Sequence, residues 1–347
     1  MQRIDVGVLG ATGMVGQQFI AQLARHPWFR LVWVGASERS AGQTYRAAAP
    51  WRLPFTLPDE VGNLIVQQAR PGEGSPPELL FSAMDASVAG EIEEAFAKAG
   101  HVVVSNARNH RMSPDVPLLI PEINHEHLGL IETQQKNRGF TKGFIVTNPN
   151  CAVIAIAPPL AGLHRQFGIE SAVVTTLQAI SGAGYPGVAS FDIVDNVVPY
   201  IAGEEPKVET EAQKILGKLN GGSIHKADFA VSAQCFRVNV LDGHTASVRV
   251  NLKNKATLEE VLEAMGSIPV LDLHSSPKRF IEITDEPTRP QPRIDRDNGA
   301  GMTITVGRVF PDNVFDYRFV TLSHNTVRGA AGAAILNAEL LVEKKLI

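Results

Sequence analysis

Gly10-Ala11-Thr12-Gly13-Met14-Val15-Gly16 is the stretch of sequence that decides the fold. It follows the short apolar run Ile4 to Leu9, which predicts a strand, and it opens a helical pattern from about Val15 to Arg25. Glycines in such a turn let the backbone approach a pyrophosphate, and the helix start supplies N–H donors and a favourable dipole. The turn therefore predicts a dinucleotide site formed by Gly10, Thr12, Gly13, Met14, Val15 and Gly16.

The segments after this turn continue an alternation of strands and helices. Leu31 to Gly35 and Leu79 to Phe81 are apolar enough for buried strands, and Ser87 to Ala99 has a helical period before the next strand, Val102 to Ser105. Strands that alternate with helices predict a parallel sheet covered by helices on its faces. We therefore predict an α/β fold with a Rossmann-type dinucleotide-binding domain.

The second half of the chain has a different character. Its strand-like runs have fewer helices between them, which predicts an α+β domain on a mixed or antiparallel sheet: Ala172 to Gln178, Ala246 to Leu252, Thr303 to Phe310 and Asp316 to Leu322. The alanine-rich helical stretch Gly329 to Lys345 is expected to pack back onto the first domain. We therefore expect a first domain of residues 1–150 plus 325–347 and a second domain of residues 151–324.

Composition narrows the classes of function. A content of 44% hydrophobic and 20% charged residues is typical of a soluble globular protein. A net charge of −4 does not favour binding to nucleic acid or to an anionic membrane. Met1 to Asp5 leads directly into a strand pattern, so we expect no signal peptide and a cytoplasmic location. The two cysteines lack zinc-ligand spacing, and we expect no metal and two free thiols.

Cys151 ends the sequence Asn148-Pro149-Asn150-Cys151, directly before the apolar run Ala152 to Ala157, which predicts a helix. A cysteine at a helix start faces unpaired backbone N–H groups and the positive end of the helix dipole, which favour thiolate over thiol. We therefore predict that Cys151 is a nucleophile. The alternative is a buried structural cysteine.

The turn after the second predicted strand bears on the choice of cofactor. NAD-binding proteins usually carry an acid here for the ribose hydroxyls, but this chain has Gly35-Ala36-Ser37-Glu38-Arg39-Ser40. Ser37, Arg39 and Ser40 are suited to a 2′-phosphate, so the turn favours NADP. Glu38 is an acid in the same turn, so NAD remains an alternative cofactor.

Other polar positions have both a functional and an ordinary interpretation. Ser82, at the end of a strand on the same sheet edge, either faces the dinucleotide or is a plain strand-end serine. Arg111 and Lys207 either bind an anion or are solvated. The loop Ser181 to Gly187, which contains Gly182, either covers a cofactor or is an ordinary glycine loop.

A second cluster lies in Gln234-Cys235-Phe236-Arg237-Val238-Asn239-Val240-Leu241-Asp242-Gly243-His244-Thr245. Arg237 and His244 are able to reach one cleft from a strand and the turn after it. An arginine holds a carboxylate bidentately, and a histidine exchanges a proton with a reacting oxygen or thiol near neutral pH. Taken alone, His244 also fits a surface turn.

These motifs together resemble the aspartate-β-semialdehyde dehydrogenase family over nearly the whole chain. The resemblance rests on segments that stand in the family's order: Gly10 to Gly16, Asn148 to Cys151, Gln178 before the Ser181 to Gly187 loop, Cys235 to Arg237, and Gly243 to Thr245. The closing segment, Leu322 to Gly332, resembles the archaeal and fungal branch of the family.

The resemblance implies a role for each matching residue. Cys151 would be the nucleophile and His244 the acid/base. Arg237 would bind the substrate carboxylate, and Glu204 would meet its amino group. Arg111 and Lys207 would bind phosphate, and Gln178 would orient the substrate. Gly182 and Asn325 would lie near the cofactor, with Asn325 close to the nicotinamide. The second domain would be catalytic and would also form a homodimer or homotetramer.

The implied reaction is the NADP-dependent reductive dephosphorylation of L-4-aspartyl phosphate to L-aspartate 4-semialdehyde. It would pass through a cysteine thioester and serve the biosynthesis of lysine, methionine and threonine. Two other enzymes with the same cysteine chemistry remain alternatives, a malonyl-CoA reductase and an N-acetyl-glutamyl-phosphate reductase. A nucleotide-sensing protein without turnover is the alternative outside the enzymes.

Overall fold

The computed structural model describes residues 3–347, so Met1 and Gln2 of the predicted N-terminal segment lie outside the described residues. A six-stranded sheet, parallel throughout, forms the first half, in the order β3-β2-β1-β4-β5-β6. Its strands are β1 Ile4–Leu9, β2 Phe29–Ala36, β3 Val66–Gln68, β4 Leu79–Ser82, β5 Val102–Ser105 and β6 Phe144–Thr147. This is the strand order of a dinucleotide-binding sheet, and it confirms the predicted class of the first domain.

Helices connect these strands. The two longest, α1 Met14–Leu23 and α4 Ala86–Lys98, follow β1 and β4 as the sequence predicts. The others are short: α2 Tyr45–Ala48, α3 Asp59–Gly62, α5 Pro121–Asn124 and α6 Leu130–Arg138. Among residues 3–347, every helix is too short or too polar to cross a lipid bilayer.

The second half begins at α7 Val153–Phe167 and contains a mixed sheet in the order β10-β7-β11-β14-β13-β12. Its strands are β7 Ile169–Gln178, β10 Ala230–Arg237, β11 His244–Leu252, β12 Ile281–Thr284, β13 Ile304–Pro311 and β14 Tyr317–Ser323. A small hairpin, β8 Lys218–Asn220 and β9 Ser223–His225, lies outside it, together with helices α8 Ser190–Ile193, α9 Glu205–Ile215, α10 Leu258–Gly266 and α11 Pro292–Asp295. The mixed sheet confirms the predicted α+β character.

The C-terminal segment returns to the first sheet. It opens with one π-helical turn, Val327–Ala331, and continues as α12 Gly332–Glu343, so the predicted start of a regular α-helix at Gly329 is corrected to Gly332. Ile335 and Leu341 of α12 are buried in one core cluster with residues of β1 and α1. The apolar face of α12 therefore packs onto the first sheet, and the domain limits 1–150 plus 325–347 and 151–324 stay a prediction.

Candidate active site

Three strands of the mixed sheet bring predicted site residues to one end of that sheet. β7 and β10 run parallel, and their last residues, Gln178 and Arg237, are paired in register. β11 runs antiparallel to β7, so its first residue, His244, lies where β7 ends. The topology of the sheet therefore gathers side chains from three distant parts of the sequence.

Cys151 lies in the turn between β6 and α7, next to this end of the sheet. Its Sγ is 3.2 Å from Nε2 of His244, although the two residues are 93 positions apart. The other ring nitrogen of His244, Nδ1, accepts a hydrogen bond of 3.1 Å from the backbone N–H of Ala179. Cys151 is partly exposed and His244 is buried, so the thiol and the imidazole form a contact at the base of the site.

The surroundings of Cys151 differ from the prediction. Oδ1 of Asn150 accepts hydrogen bonds from the N–H groups of Ala152, at 2.9 Å, and Val153, at 3.4 Å. Asn150 therefore caps the start of α7, where the sequence predicted free donors facing the sulfur. Burial, followed by the negative charge of Glu204, raises the pKa of the Cys151 thiol to about 12. Asn150 therefore uses N–H groups on which the predicted preference for the thiolate depends, and that preference stays a prediction.

Positive charges surround the thiol and the imidazole. Arg111, Arg237 and Lys207 all act to lower the pKa of the Cys151 thiol and so oppose the effect of burial. Burial and the nearby Arg237 lower the pKa of His244 to about 3. The imidazole is therefore neutral at ordinary pH, and the cations are placed to stabilise negative charge that develops on sulfur or substrate.

Glu204, immediately before α9, supplies a negative charge to the site. Its Oε2 accepts hydrogen bonds from Nδ2 of Asn150, at 2.9 Å, and Nε2 of Gln178, at 3.3 Å, and its Oε1 accepts one from Lys207. Burial opposes ionisation, but Lys207 and the two amide donors outweigh it and lower the pKa of Glu204. The carboxylate is thus ionised and connects β7, α9 and the nucleophile turn.

Arg111 joins the same cluster through Glu211 of α9. Oε1 of Glu211 accepts a hydrogen bond of 3.1 Å from Nη1 of Arg111, and Oε2 accepts one of 2.6 Å from the backbone N–H of Asn150. Within residues 3–347, the buried Nε of Arg111 has no hydrogen-bond partner. An unpaired donor on a buried guanidinium suits an anionic ligand.

The glycine-rich turn lies at the end of β1 in the first sheet. Gly10 has φ +72°, and a Cβ at Gly16 would lie 2.3 Å from the Gly10 carbonyl oxygen, so both positions require glycine. Gly13 precedes α1, and in the described part of the chain no side chain caps that helix start. The N–H groups of the first turn of α1 remain free for a ligand. The rest of the predicted stretch is exposed or half-exposed: Thr12, Gly13, Met14 and Val15.

The turn after β2 exposes the residues that favour NADP. Ser37 and Arg39 are exposed and Ser40 is half-buried. Oε1 of Glu38 accepts hydrogen bonds of 2.6 Å from Nε2 of Gln68 and 3.1 Å from Nη2 of Arg70. Glu38 is therefore drawn towards the β3 side of the turn.

Ser82 does not offer its side chain to a ligand. It is fully buried, and its hydroxyl donates a hydrogen bond of 2.6 Å to the buried carboxyl of Glu93, which also accepts one from Ser105. The geometry corresponds to the ordinary strand-end interpretation, because the hydroxyl is used inside the sheet.

Comparisons with known proteins agree with this arrangement. Residues 5–131 match the family described as semialdehyde dehydrogenase, NAD binding domain, and residues 160–328 match semialdehyde dehydrogenase, dimerisation domain. The aspartate-semialdehyde dehydrogenase of Archaeoglobus fulgidus is 51% identical over 99% of this chain and 100% of its own length. That of Aspergillus fumigatus is 49% identical over 98% of each chain. The chain belongs to the aspartate-semialdehyde dehydrogenase family.

Solved structures of this family superpose over the whole molecule. The aspartate-semialdehyde dehydrogenase of Candida albicans with NADP has a TM-score of 0.91 at 44% identity, covering 99% of this chain and 100% of that chain. Aspartate semialdehyde dehydrogenase II of Vibrio cholerae complexed with ASA has a TM-score of 0.77 at 26% identity, covering 99% of each chain. The archaeal and fungal relatives are the group that the closing segment of the sequence resembles.

Two further predicted residues, Gly182 and Asn325, lie near His244. A Cβ added to Gly182 would lie 2.9 Å from Nη1 of Arg237 and 2.9 Å from Cε1 of His244. Asn325 joins two segments, since its Oδ1 accepts from the N–H of Gly243 at 2.8 Å and its Nδ2 donates to Oγ of Ser181 at 2.8 Å. Both residues therefore border the His244 side of the site.

Three residues that hold this site together, Asn150, Glu211 and Gly329, had no predicted role. Asn150 connects Glu204, Glu211 and the start of α7. A Cβ on Gly329 would lie 2.9 Å from Cβ of Cys151, so glycine is required at that close approach. Asn150 could have been suspected from the sequence, because it stands directly before the predicted nucleophile. Glu211 and Gly329 are recognisable only once distant segments are brought together.

Proposed function

We propose that the chain catalyses the NADP-dependent reductive dephosphorylation of L-4-aspartyl phosphate to L-aspartate 4-semialdehyde, a step in the biosynthesis of lysine, methionine and threonine. The observation that carries this proposal is the contact of 3.2 Å between Sγ of Cys151 and Nε2 of His244, beside Arg111, Arg237, Lys207 and the carboxylate of Glu204. The names of the family relatives supply the substrate.

In this proposal Cys151 is the nucleophile and His244 is the acid/base. The sulfur attacks the acyl carbon as its proton passes to His244, the carbon–oxygen bond to phosphate breaks with its electron pair, and a thioester forms on Cys151. Arg237 binds the substrate carboxylate bidentately, and Gln178, at the end of the adjoining strand, orients the substrate.

The charges of the site fit the other groups of the substrate. Glu204 is ionised and suits the free amino group of an aspartyl substrate. Arg111, with its unpaired Nε, and Lys207, paired with Glu204, are assigned to the phosphate. An N-acetylated substrate or an acyl-CoA has no amino group for Glu204, which is the reason to rank the two alternative reductases lower.

NADP is assigned to the first sheet. The free N–H groups at the start of α1 would hold the pyrophosphate, and Ser37, Arg39 and Ser40 would hold the 2′-phosphate. Gly182 and Asn325 border the side of His244 on which the nicotinamide is expected. When bound, the cofactor exchanges a hydride with the carbon held on Cys151.

We further propose that the chain forms a homodimer or homotetramer in the cytoplasm. The dimerisation domain contains a short exposed apolar segment in which Phe191 is 97% exposed, Val194 59% and Tyr200 64%. Side chains of this size seldom stand in water together unless a partner covers them, and we assign a second copy of the chain as that partner. Sedimentation velocity of the intact chain and of Phe191→Ser would test this assignment.

The decisive experiment for the function is a phosphate-dependent assay. We expect NADP reduction with aspartate semialdehyde only when inorganic phosphate is present. Malonyl semialdehyde with coenzyme A and N-acetyl-glutamate semialdehyde with phosphate are the matched substrates for the two alternatives. Faster turnover of either one would overturn the assignment, and NADP binding without turnover of any substrate would favour the nucleotide-sensing alternative.

A further inference from the structure

A buried lysine on α9, Lys214, directs all of its hydrogen-bond donors at one segment of the chain. This segment comprises residues 106–116, between β5 and α5, and we call it the Arg111 segment. Nζ of Lys214 donates to three of its backbone carbonyl oxygens: those of Arg111, at 2.7 Å, Ser113, at 2.7 Å, and Val116, at 2.8 Å. An ammonium group has three N–H donors, so every one of them is used within the Arg111 segment.

The Arg111 segment depends on contacts of this kind for its conformation. Residues 106–116, all of which the structure describes, form neither helix nor strand. Their turns are closed by long backbone hydrogen bonds, such as 3.3 Å from the N–H of Arg111 to the Arg108 carbonyl and 3.2 Å from the N–H of Val116 to the Ser113 carbonyl. Ordering an irregular backbone costs conformational entropy, and Lys214 restrains this one at three points from a single atom.

Lys214 is buried despite its charge. It is 2% exposed, and burial lowers its pKa to about 8, with Lys226 acting in the same direction and Asp115 and Glu211 against it. This pKa still lies above neutral, so the side chain carries all three protons at pH 7. Removing an ammonium from water is costly unless every N–H finds an acceptor, and the Arg111 segment supplies all the acceptors. The charge and the segment therefore stabilise each other.

Glu211, three residues before Lys214 on the same face of α9, restrains the side chain of Arg111. Its Oε1 accepts from Nη1 of Arg111 at 3.1 Å, and the backbone carbonyl of Asn106 accepts from Nη2 at 2.8 Å. The third guanidinium nitrogen, Nε, is the buried donor that has no partner within residues 3–347. The orientation of this free donor is therefore set jointly, by Lys214 on the backbone of Arg111 and by Glu211 and Asn106 on its guanidinium.

We propose that Lys214 is a positioning residue for phosphate recognition, which holds the Arg111 segment so that the Arg111 guanidinium is oriented for phosphate before phosphate binds. The inference rests on the proposed function, which assigns phosphate to Arg111. Because backbone carbonyls use all three donors of Lys214, it acts through Arg111 and not by contact with the ligand. A guanidinium held in place in advance loses less conformational freedom on binding, so the effect falls on the affinity for phosphate.

The first test compares the parent with Lys214→Met in the phosphate-dependent assay. We expect the KM for inorganic phosphate to rise about 10- to 100-fold, because the guanidinium is no longer held in position. The kcat at saturating phosphate and the KM for aspartate semialdehyde should remain nearly unchanged. Lys214→Arg keeps the cation and restores part of the donors, so its KM for phosphate should lie between the two. An unchanged KM for phosphate in both variants, with or without a lower kcat, would overturn the proposal.

Gln134→Leu is the matched control for the loss of a buried donor. Gln134 is fully buried, and its Nε2 donates to the carbonyl of Asp115, in the same segment, at 3.1 Å and to that of Ile145 in β6 at 2.9 Å. This substitution loosens the segment at a point away from Arg111, so it should lower the thermal stability and leave the KM for phosphate nearly unchanged. A rise in KM as large as that in Lys214→Met would contradict a specific role for Lys214.

Hydrogen exchange of the intact chain, measured by mass spectrometry, separates this proposal from the proposed function because it requires no turnover. Amides of residues 106–116 should exchange faster in Lys214→Met than in the parent, and inorganic phosphate should slow their exchange more in the parent than in the variant. If Lys214→Met does not fold, Lys214→Arg is measured instead, with the same directions expected. A parent that shows both effects without turning over aspartate semialdehyde would contradict the proposed function alone. Exchange that is insensitive to the substitution, or to phosphate in the parent, would overturn the role of Lys214.

Discussion

The glycine-rich turn and the cluster around Cys151 are two sites built in opposite ways. The turn consists of consecutive residues between β1 and α1, and it offers backbone N–H groups. The cluster consists of side chains from separate elements, with Cys151 and His244 separated by 93 positions. A local site depends on backbone conformation, whereas a long-range site depends on the strands that bring its members together.

The consequences of substitution should differ accordingly. At Gly10 and Gly16 of the turn, an added methyl group collides with backbone that cannot move without opening the turn. In the cluster, the backbone tolerates a change of side chain, but a charge or hydrogen bond is left without its partner. Variants that separate cofactor binding from chemistry therefore test the comparison.

The largest expected effect is that of Cys151→Ala. Turnover should be abolished, because the sulfur forms the covalent intermediate, while the dissociation constant of NADPH, measured by fluorescence titration, should remain nearly unchanged. Cys235→Ala is the matched control, since Cys235 is a free buried thiol on strand β10. Substantial activity in Cys151→Ala, or its loss in Cys235→Ala without loss of folding, would remove Cys151 from the role of nucleophile.

The local site was predictable because its signal is contiguous. Glycines between an apolar strand and a helical period identify both the fold and the ligand class, and the strand order confirmed the predicted sheet. The mixed sheet of the second half was also predictable from its strand-like runs. The π-helical turn before α12 was not, because Val327 to Ala331 has the composition of an ordinary helix.

The cluster around Cys151 was predictable only in part. Cys151, Arg237 and His244 were selected from the chemistry of their side chains, and the structure brings them together, but Glu211 has no local signal on a charged helix. The cap by Asn150 was missed because a side chain competed with the sulfur for the N–H groups of α7. The Ser82 hydroxyl likewise had a competing partner, Glu93, that only the tertiary structure reveals.

The second largest effect is expected for Gly16→Ala. Its Cβ would lie 2.3 Å from the Gly10 carbonyl oxygen, and strain of about 1–3 kcal/mol is typical of such overpacking. If the strain is expressed in binding, the affinity for NADPH should fall by about 5- to 150-fold. At Gly13 the nearest atom to an added Cβ is 3.5 Å away, so Gly13→Ala should retain the thermal stability of the parent. Equal affinity in Gly16→Ala and the parent would contradict the assigned dinucleotide site.

Arg237→Lys should have a smaller effect, confined to the substrate. A lysine cannot reproduce a bidentate carboxylate contact, and the loss of one charged hydrogen bond, about 1.5 kcal/mol, corresponds to a KM for the semialdehyde that is about tenfold higher. The affinity for NADPH should not change. Arg249→Lys, on strand β11 of the same sheet, is the control for a generic loss of an arginine. An unchanged KM in Arg237→Lys would remove Arg237 from the substrate site.

The smallest effect is expected at the edge of the local site, where Arg39 is exposed. Arg39→Ala should lower the ratio of kcat/KM for NADP to that for NAD by about two- to fivefold, because an exposed ion pair is worth at most about 1 kcal/mol. The loss should shrink as ionic strength rises, since salt screens the 2′-phosphate from the guanidinium. Arg30→Ala is the control, because Arg30 is an exposed arginine at the opposite end of β2 and pairs with Asp5. A ratio that stays constant in Arg39→Ala would transfer recognition of the 2′-phosphate to Ser37 and Ser40, and the turn would then select its cofactor through neutral donors alone.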